Sequence, residues 1–160
     1  MPYPLMTDFE KGYILGLFEG EGFIAFNHSH RERNPNDHYY TVHIGIVNTN
    51  YKTLKKIKSI LKFGSITEKP VEKRWKRCWQ WRISKQSEIF YFLKILYPYL
   101  IIKKEKATLL LKFLESRINC NPNSKANCKR IYSKYELGFY KKYQKLKSYK
   151  SQKEVYHSLP

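Results

Sequence analysis

The residues best suited to chemistry lie in one short stretch near the start of the chain, residues 15–22, with the sequence LGLFEGEG. Glu21 falls at the C-terminal end of a predicted helix, where the helix dipole is negative and a carboxylate is unfavourable. A bound cation would remove that conflict. The Glu21 carboxylate and the Gly20 carbonyl are hard oxygen ligands, of the kind that Mg²⁺ takes together with water and phosphate oxygen atoms. The stretch therefore predicts a divalent metal site with Glu21 and Gly20 as ligands.

The predicted helix that carries this stretch has glycine at every fourth position. Gly12, Gly16 and Gly20 lie on one stripe of the helix surface. Each glycine costs roughly 1 kcal/mol of helix stability relative to alanine, and the close approach of a second backbone would compensate for that cost. We expect a twofold interface between copies of the chain through Gly12, Gly16, Leu17 and Gly20, which would bring two Glu21 carboxylates together.

The elements around this stretch are predicted from capping and hydrophobic periodicity. Thr7 and Glu10 form a capping box that begins the first helix, and Gly20 and Gly22 are expected to end it. Period-two alternation then predicts strands, and apolar residues three and four apart predict helices. The order is a helix over 7–20, a hairpin of strands 23–31 and 39–48, a helix over 51–61, a second hairpin of strands 65–69 and 76–84, and helices over 86–96 and from about 103. The pattern predicts an α+β fold in αββαββα order, with a four-stranded antiparallel sheet covered by helices on its apolar face and followed by C-terminal helices.

Composition points to a polyanionic partner. The chain has 160 residues, 31 Lys and Arg against 13 Asp and Glu, and a formal net charge of +18. Residues 1–50 carry three basic and six acidic side chains, so the positive charge is concentrated after residue 50. Such a charge opposes compaction unless a polyanion neutralises it. No apolar run approaches the ~18 residues of a membrane span, the N-terminal residues do not resemble a signal peptide, and three scattered cysteines make no disulfide framework. We expect one domain over residues 1–160, with a core of about 7–118 and a basic, helical C-terminal extension of about 119–160.

The predicted polar face of the sheet is the expected nucleic-acid surface. Basic and polar side chains on a twisted two-stranded ribbon fit the major groove of DNA, although an ordinary solvated sheet face would look equally polar. The candidate contacts are Asn27, Ser29, Arg31, Arg33, Tyr39, Thr41, His43, Lys69, Arg74, Lys76, Arg77, Gln80 and Arg82.

The stretch at 15–22 resembles the LAGLIDADG motif of homing endonucleases, with Glu19 and Glu21 in place of the two aspartates. The resemblance extends over roughly residues 7–118 through the order of the elements. The motif occurs once, which in this family is typical of homodimers. The resemblance implies that Glu21 is the metal ligand and leaves the role of Glu19 open. A solvated carboxylate is the favoured interpretation of Glu19.

Two further catalytic residues are implied by the resemblance. The family has a polar residue where the second strand ends, which orders water at the active site. Asn48 matches best and Asn50 second, and the alternative is that these residues only cap the next helix. The family also has a lysine at the start of the helix that follows the second αββ unit. Lys103 matches it, with Lys104 as the fallback and a solvated lysine as the alternative.

The implied function is a site-specific, intron-encoded endonuclease that cuts double-stranded DNA at a long, pseudo-palindromic site. Mg²⁺ is the expected cofactor, with Mn²⁺ as a substitute, and in-line phosphodiester hydrolysis is the expected reaction. The expected location is intracellular, in an archaeal cytoplasm or an organelle. Two alternatives keep the fold, an RNA-binding intron maturase and a non-cleaving DNA-binding regulator. Neither of them needs Glu21 and Lys103.

Overall fold

The computed structural model describes residues 3–31, 34–70, 76–118 and 136–146. Four strands form one sheet in the order β1-β2-β4-β3, and β4 pairs antiparallel with both β2 and β3. The predicted αββαββα order and the four-stranded antiparallel sheet are therefore confirmed. Within the described segments, no helix is long and apolar enough to cross a bilayer. The elements are α1 Asp8–Glu21, β1 Gly22–Arg31, β2 Asn34–Asn48, α2 Tyr51–Leu61, β3 Ser65–Lys69, β4 Cys78–Ile83, α3 Gln86–Leu96, a 3₁₀ turn Tyr97–Tyr99 and α4 Lys104–Ile118; residues 136–146 are also helical.

Both ends of α1 are fixed by local interactions. The Thr7 hydroxyl accepts a hydrogen bond from the Glu10 amide at 3.2 Å, and the Glu10 carboxylate accepts one from the Thr7 amide at 3.0 Å, which confirms the capping box. At the other end α1 includes Glu21, and Gly22 follows it with an extended backbone. A Cβ atom at Gly22 would lie 2.3 Å from the Phe18 carbonyl oxygen. Glycine is therefore needed there for the close passage of the chain from helix to strand.

The chain divides into two compact units. The first comprises Met1–Ala25 and Val42–Lys104, and it contains α1, α2, α3 and β4. Its core places Phe18 of α1 and Trp81 of β4 against Phe92 of α3, with ring centroids 5.1 and 5.6 Å apart. All three side chains are fully buried. This aromatic contact fixes the last turns of α1, which carry the motif.

The second unit comprises Phe26–Thr41 and Glu105–Pro160. Phe26 packs there against Phe113 of α4 and Tyr143 of the helical segment 136–146, with ring centroids 4.6 and 5.7 Å apart. Nε and Nη2 of Arg117 both lie 2.8 Å from Oε1 of Glu136, and both side chains are largely buried. Burial raises the pKa of Glu136, and the Arg117 guanidinium opposes that shift. The part of the predicted C-terminal extension that the structure describes therefore contributes core residues. The single-domain interpretation stays a prediction.

Candidate active site

The last turn of α1 presents the Glu21 carboxylate to the end of β2. Nδ2 of Asn48 donates a hydrogen bond to Oε2 of Glu21 at 2.7 Å. Asn48 is half-buried and Glu21 is exposed. A hydrogen bond to a carboxylate is stronger than one between neutral groups, so Asn48 fixes the orientation of the Glu21 side chain.

The two asparagines after β2 have different roles. Asn50 is the N-cap of α2, and its side chain accepts hydrogen bonds from the amides of Lys52 and Thr53 at 3.0 and 3.4 Å. Oδ1 of Asn48 accepts one from the Asn50 amide at 2.7 Å. The capping alternative therefore describes Asn50, whereas Asn48 joins the start of α2 to Glu21. Its predicted role in ordering water stays a prediction.

Glu19 binds a turn of backbone. Its Oε2 accepts hydrogen bonds from the amides of Ile101 and Ile102 at 3.2 and 2.6 Å, and its Oε1 accepts one from the Lys103 amide at 3.2 Å. Both carboxylate oxygens are thus occupied. The interpretation of Glu19 as a solvated carboxylate is wrong, because its carboxylate accepts hydrogen bonds from three backbone amides.

The Lys103 side chain contacts the same turn of α1. Its Nζ donates to the Glu19 carbonyl oxygen at 2.6 Å and lies 5.8 Å from the centroid of the Phe18 ring. A carbonyl at a helix C-terminus lacks the usual intrahelical partner and carries partial negative charge, so an ammonium group is favourable there. Nζ of Lys104 instead lies 5.7 Å from the centroid of the Tyr97 ring. Of the two candidate lysines, Lys103 is therefore the one at the motif.

The oxygen atoms at Glu21 fit a metal ion that takes its remaining ligands from water or a bound phosphate. Among the described residues, no group of three or more His, Cys, Asp or Glu side chains could hold a metal. Glu21 is exposed at the negative end of α1, beside the Gly20 carbonyl in sequence. Mg²⁺ commonly takes one or two carboxylates together with water and phosphate oxygen atoms. Glu21 and Gly20 therefore suit a Mg²⁺ ion shared with a bound phosphate, and they do not form an all-protein cage.

The outer face of the sheet carries the described DNA-contact candidates. In β2 and β4, the buried side chains of Ile44, Ile46, Trp81 and Ile83 alternate with residues on the opposite face. On that face Nδ1 of His43 lies 3.1 Å from Oγ of Ser84. Burial lowers the pKa of His43, and the nearby Arg82 guanidinium lowers it further. Nε of Arg82 is buried and has no hydrogen-bond partner in the described part of the chain.

The remaining candidates differ in exposure. Asn27, Tyr39, Lys69, Lys76 and Arg77 are exposed, and Ser29, Thr41 and Gln80 are half-buried. Arg77 pairs with Glu68 at 2.8 Å. The Arg31 side chain, Arg33 and Arg74 lie outside the described residues.

The glycine stripe of α1 is open. Gly12, Gly16 and Gly20 are exposed, and a Cβ atom added at any of them would meet nothing within 4 Å. Nothing described in this chain therefore requires glycine at these positions. Phe9, on the same helix, is 81% exposed, and Leu17 is half-buried.

A family model described as LAGLIDADG endonuclease matches residues 14–115, which include the motif, the sheet and most of α4. The chain therefore belongs to the LAGLIDADG endonuclease family, and the resemblance inferred from the motif is confirmed. Comparison with curated proteins gives no significant match.

Solved structures of homing endonucleases share the fold. The archaeal intron-encoded homing endonuclease I-Vdi141I, in complex with DNA, is 23% identical with a TM-score of 0.61, and the alignment covers 70% of each chain. The homing endonuclease I-CvuI, in complex with a DNA target in the presence of Mg, is 21% identical with a TM-score of 0.59, over 76% of this chain and 73% of that one. The group I intron-encoded homing endonuclease I-CeuI, in complex with DNA, is 15% identical with a TM-score of 0.61, over 72% and 58%. At these identities the likeness establishes the fold.

Proposed function

We propose that this protein is a site-specific, divalent-metal-dependent endonuclease that cleaves double-stranded DNA as a homodimer. The observation that carries the proposal is the convergence of Glu21, Asn48 and Lys103 on the last turn of α1, within a chain of this family. A binding protein needs no oriented carboxylate and no lysine at that position. The DNA complexes of the similar structures support double-stranded DNA as the substrate.

Each of the three residues has a proposed role. Glu21, with the Gly20 carbonyl, would hold Mg²⁺ or Mn²⁺, and Asn48 would keep the carboxylate in the ligating orientation. A divalent ion supplies Lewis acidity and lowers the pKa of a bound water molecule. Lys103 would place its ammonium group near the reacting phosphate, where a positive charge stabilises the charge that develops during hydrolysis. This role requires the ammonium group to exchange the Glu19 carbonyl for a phosphate oxygen.

The sheet and the glycine stripe complete the proposal. The polar face of β1 to β4 would read a long, pseudo-palindromic site, because a twofold dimer presents two copies of the same surface. The half-buried Arg82 side chain on this face supports this, since an arginine can donate two hydrogen bonds to a guanine edge in the major groove. The open stripe at Gly12, Gly16 and Gly20 supports a second copy as the element that covers it.

Glu21→Gln separates binding from cleavage. Candidate sites come from a randomised duplex library and from the uninterrupted form of the gene that hosts the coding sequence. Glu21→Gln keeps the side-chain volume and removes the charge that would hold the metal. In Mg²⁺ we expect cleavage to fall by about a hundredfold or more. In Ca²⁺, DNA affinity should change by no more than about tenfold, or 1.4 kcal/mol.

The matched control is Glu10→Gln, which removes a carboxylate from the other end of the same helix. It should cleave at close to the wild-type rate once stability is matched. Cleavage by Glu21→Gln at the wild-type rate would refute the metal assignment. A wild-type protein that binds a specific duplex in Mg²⁺ without cutting it would be a regulator, and one that prefers intron RNA over duplex DNA would be a maturase.

A further inference from the structure

We propose that Glu19 is a positioning residue whose carboxylate anchors the backbone of Lys103 beside the last turn of α1, so that the ammonium group can pass from the Glu19 carbonyl to a bound phosphate. The inference rests on the proposed function, because it assigns Glu19 a role through Lys103. Glu19 is the first acidic residue of the motif, and nothing in its position along the sequence connects it with residues more than eighty positions away.

The first contact is with the backbone of Lys103. The Glu19 carboxylate accepts hydrogen bonds from three consecutive amides, and the shortest of them, from Ile102, is 2.6 Å. Hydrogen bonds to an ionised acceptor are roughly twice as strong as neutral ones. The carboxylate therefore holds the turn 101–103 against the last turn of α1.

The second contact is with the end of the lysine side chain. The ammonium group of Lys103 donates to the main-chain carbonyl of Glu19 at 2.6 Å. One residue thus binds both the Lys103 amide and the Lys103 ammonium group. A lysine side chain has about 2 kcal/mol of rotamer entropy, and anchoring its backbone limits the volume that the ammonium group searches beside the last turn of α1.

The side chains of Ile101 and Ile102 give the turn little support. Ile101 and Ile102 are 84% and 76% exposed, so hydrophobic burial does not fix them. Leu100, on the N-terminal side, is buried, and its amide makes a long hydrogen bond of 3.4 Å to the Tyr97 carbonyl. Loss of the Glu19 carboxylate should therefore release the turn while leaving the core at Leu100 in place.

The test compares Glu19→Gln, Glu19→Asp, Lys103→Met and the Glu19→Gln/Lys103→Met double variant, with Glu10→Gln as the control. Glu10 also accepts a hydrogen bond from a backbone amide, at the opposite end of α1, so its variant reports the cost of losing such a contact without touching the turn. Amide hydrogen exchange at 101–103 is the first readout. Exchange should accelerate at least tenfold in Glu19→Gln, less in Glu19→Asp, and not in Glu10→Gln.

The second readout is the single-turnover cleavage rate, measured beside DNA affinity in Ca²⁺. Glu19→Gln should slow cleavage at least tenfold and change DNA affinity less than threefold, and Glu19→Asp should restore part of the rate. Because Glu19 is proposed to act through Lys103, adding Glu19→Gln to Lys103→Met should slow cleavage no further. A purely structural role would instead make the two effects multiply.

Three results would overturn the inference. They are unchanged exchange at 101–103 in Glu19→Gln, wild-type cleavage by that variant, and multiplied effects in the double variant. Each can occur while Lys103→Met is slow, which leaves the proposed function standing. Wild-type cleavage by Lys103→Met is a different failure, since it removes the catalytic lysine from the proposed function and the positioning role with it. If Glu19→Gln does not fold, the exchange and cleavage of Glu19→Asp decide the question.

Discussion

Replacement of Gly16 by alanine should stabilise the isolated chain. Gly16 lies in the interior of α1, is exposed, and has open space where a Cβ atom would point. Glycine in a helix interior is about 1 kcal/mol less favourable than alanine. With no contact to disturb, the variant should gain close to that amount in free energy of unfolding.

The same substitution should weaken the proposed dimer. In a twofold interface the added methyl group appears twice. Excess volume in a well-packed contact costs roughly 1–3 kcal/mol for each site, so the dimer should lose about 2–6 kcal/mol. Even the lower figure corresponds to about a thirtyfold increase in the dimer dissociation constant. The same methyl group should therefore raise the stability of the isolated chain and lower the stability of the dimer.

Unfolding and sedimentation measurements over a range of protein concentrations separate the two effects. The wild-type unfolding midpoint should rise with concentration, because association stabilises the folded state. The Gly16→Ala midpoint should be higher at low concentration and nearly independent of concentration. Gly138→Ala, at another helical glycine with open space around it, should be stabilising without changing sedimentation. A Gly16→Ala protein that dimerises as well as the wild type would refute the interface assigned to the stripe.

Two further predictions concern stability. Glu136→Ala should lower the free energy of unfolding by about 3 kcal/mol in a denaturant titration, because it removes the carboxylate that pairs with the Arg117 side chain, which is only 17% exposed. The control is Glu68→Ala, which breaks an ion pair of equal length between side chains that are 52–70% exposed. It should lower the free energy of unfolding by less than about 1 kcal/mol. The pKa of His43 lies below 6.5 in the folded chain, so its protonation favours unfolding. The stability difference between the wild type and His43→Gln should be constant well above pH 6.5 and should become less favourable to the wild type as the pH falls through 6.5. A difference independent of pH from about 7.5 to 5 would contradict the assignment.

Local patterns predicted the elements that are fixed by local interactions. The helices over 51–61 and 86–96 have the predicted bounds. For the first of these, the apolar stripe and the Asn50 cap lie within a few residues of each other in the sequence. The capping box at Thr7 and the alternation around Ile44 were equally local. In these cases, propensity, burial and capping all favour the same structure.

The contacts between segments far apart in the sequence could not be predicted from local patterns. No periodicity connects Glu19 with Ile102, 83 residues later, so a solvated carboxylate was the simpler interpretation. The contribution of the C-terminal extension to the core was not predicted, because a segment rich in tyrosine and lysine has a weak apolar pattern. The structure places Tyr143 in a core with Phe26, which only the tertiary fold brings together. The resemblance to the family, rather than a local pattern, singled out Asn48 and Lys103.

The hydrogen bonds of the last turn of α1 give a physical reason why Glu21, rather than Glu19, is the candidate metal ligand. Both carboxylates lie at the negative end of the helix, where anions are unfavourable. The Glu19 carboxylate accepts hydrogen bonds from three amides, and the carbonyl of the same residue accepts one from the Lys103 ammonium group. In the described residues, Glu21 receives one hydrogen bond, from the neutral amide of Asn48, and it remains exposed. The carboxylate of the first acidic residue is thus satisfied by donors within the chain, whereas the second remains exposed with one neutral donor. A cation that binds to this turn therefore gains most at Glu21, and a phosphate that accompanies it would be a competing acceptor for the ammonium group of Lys103.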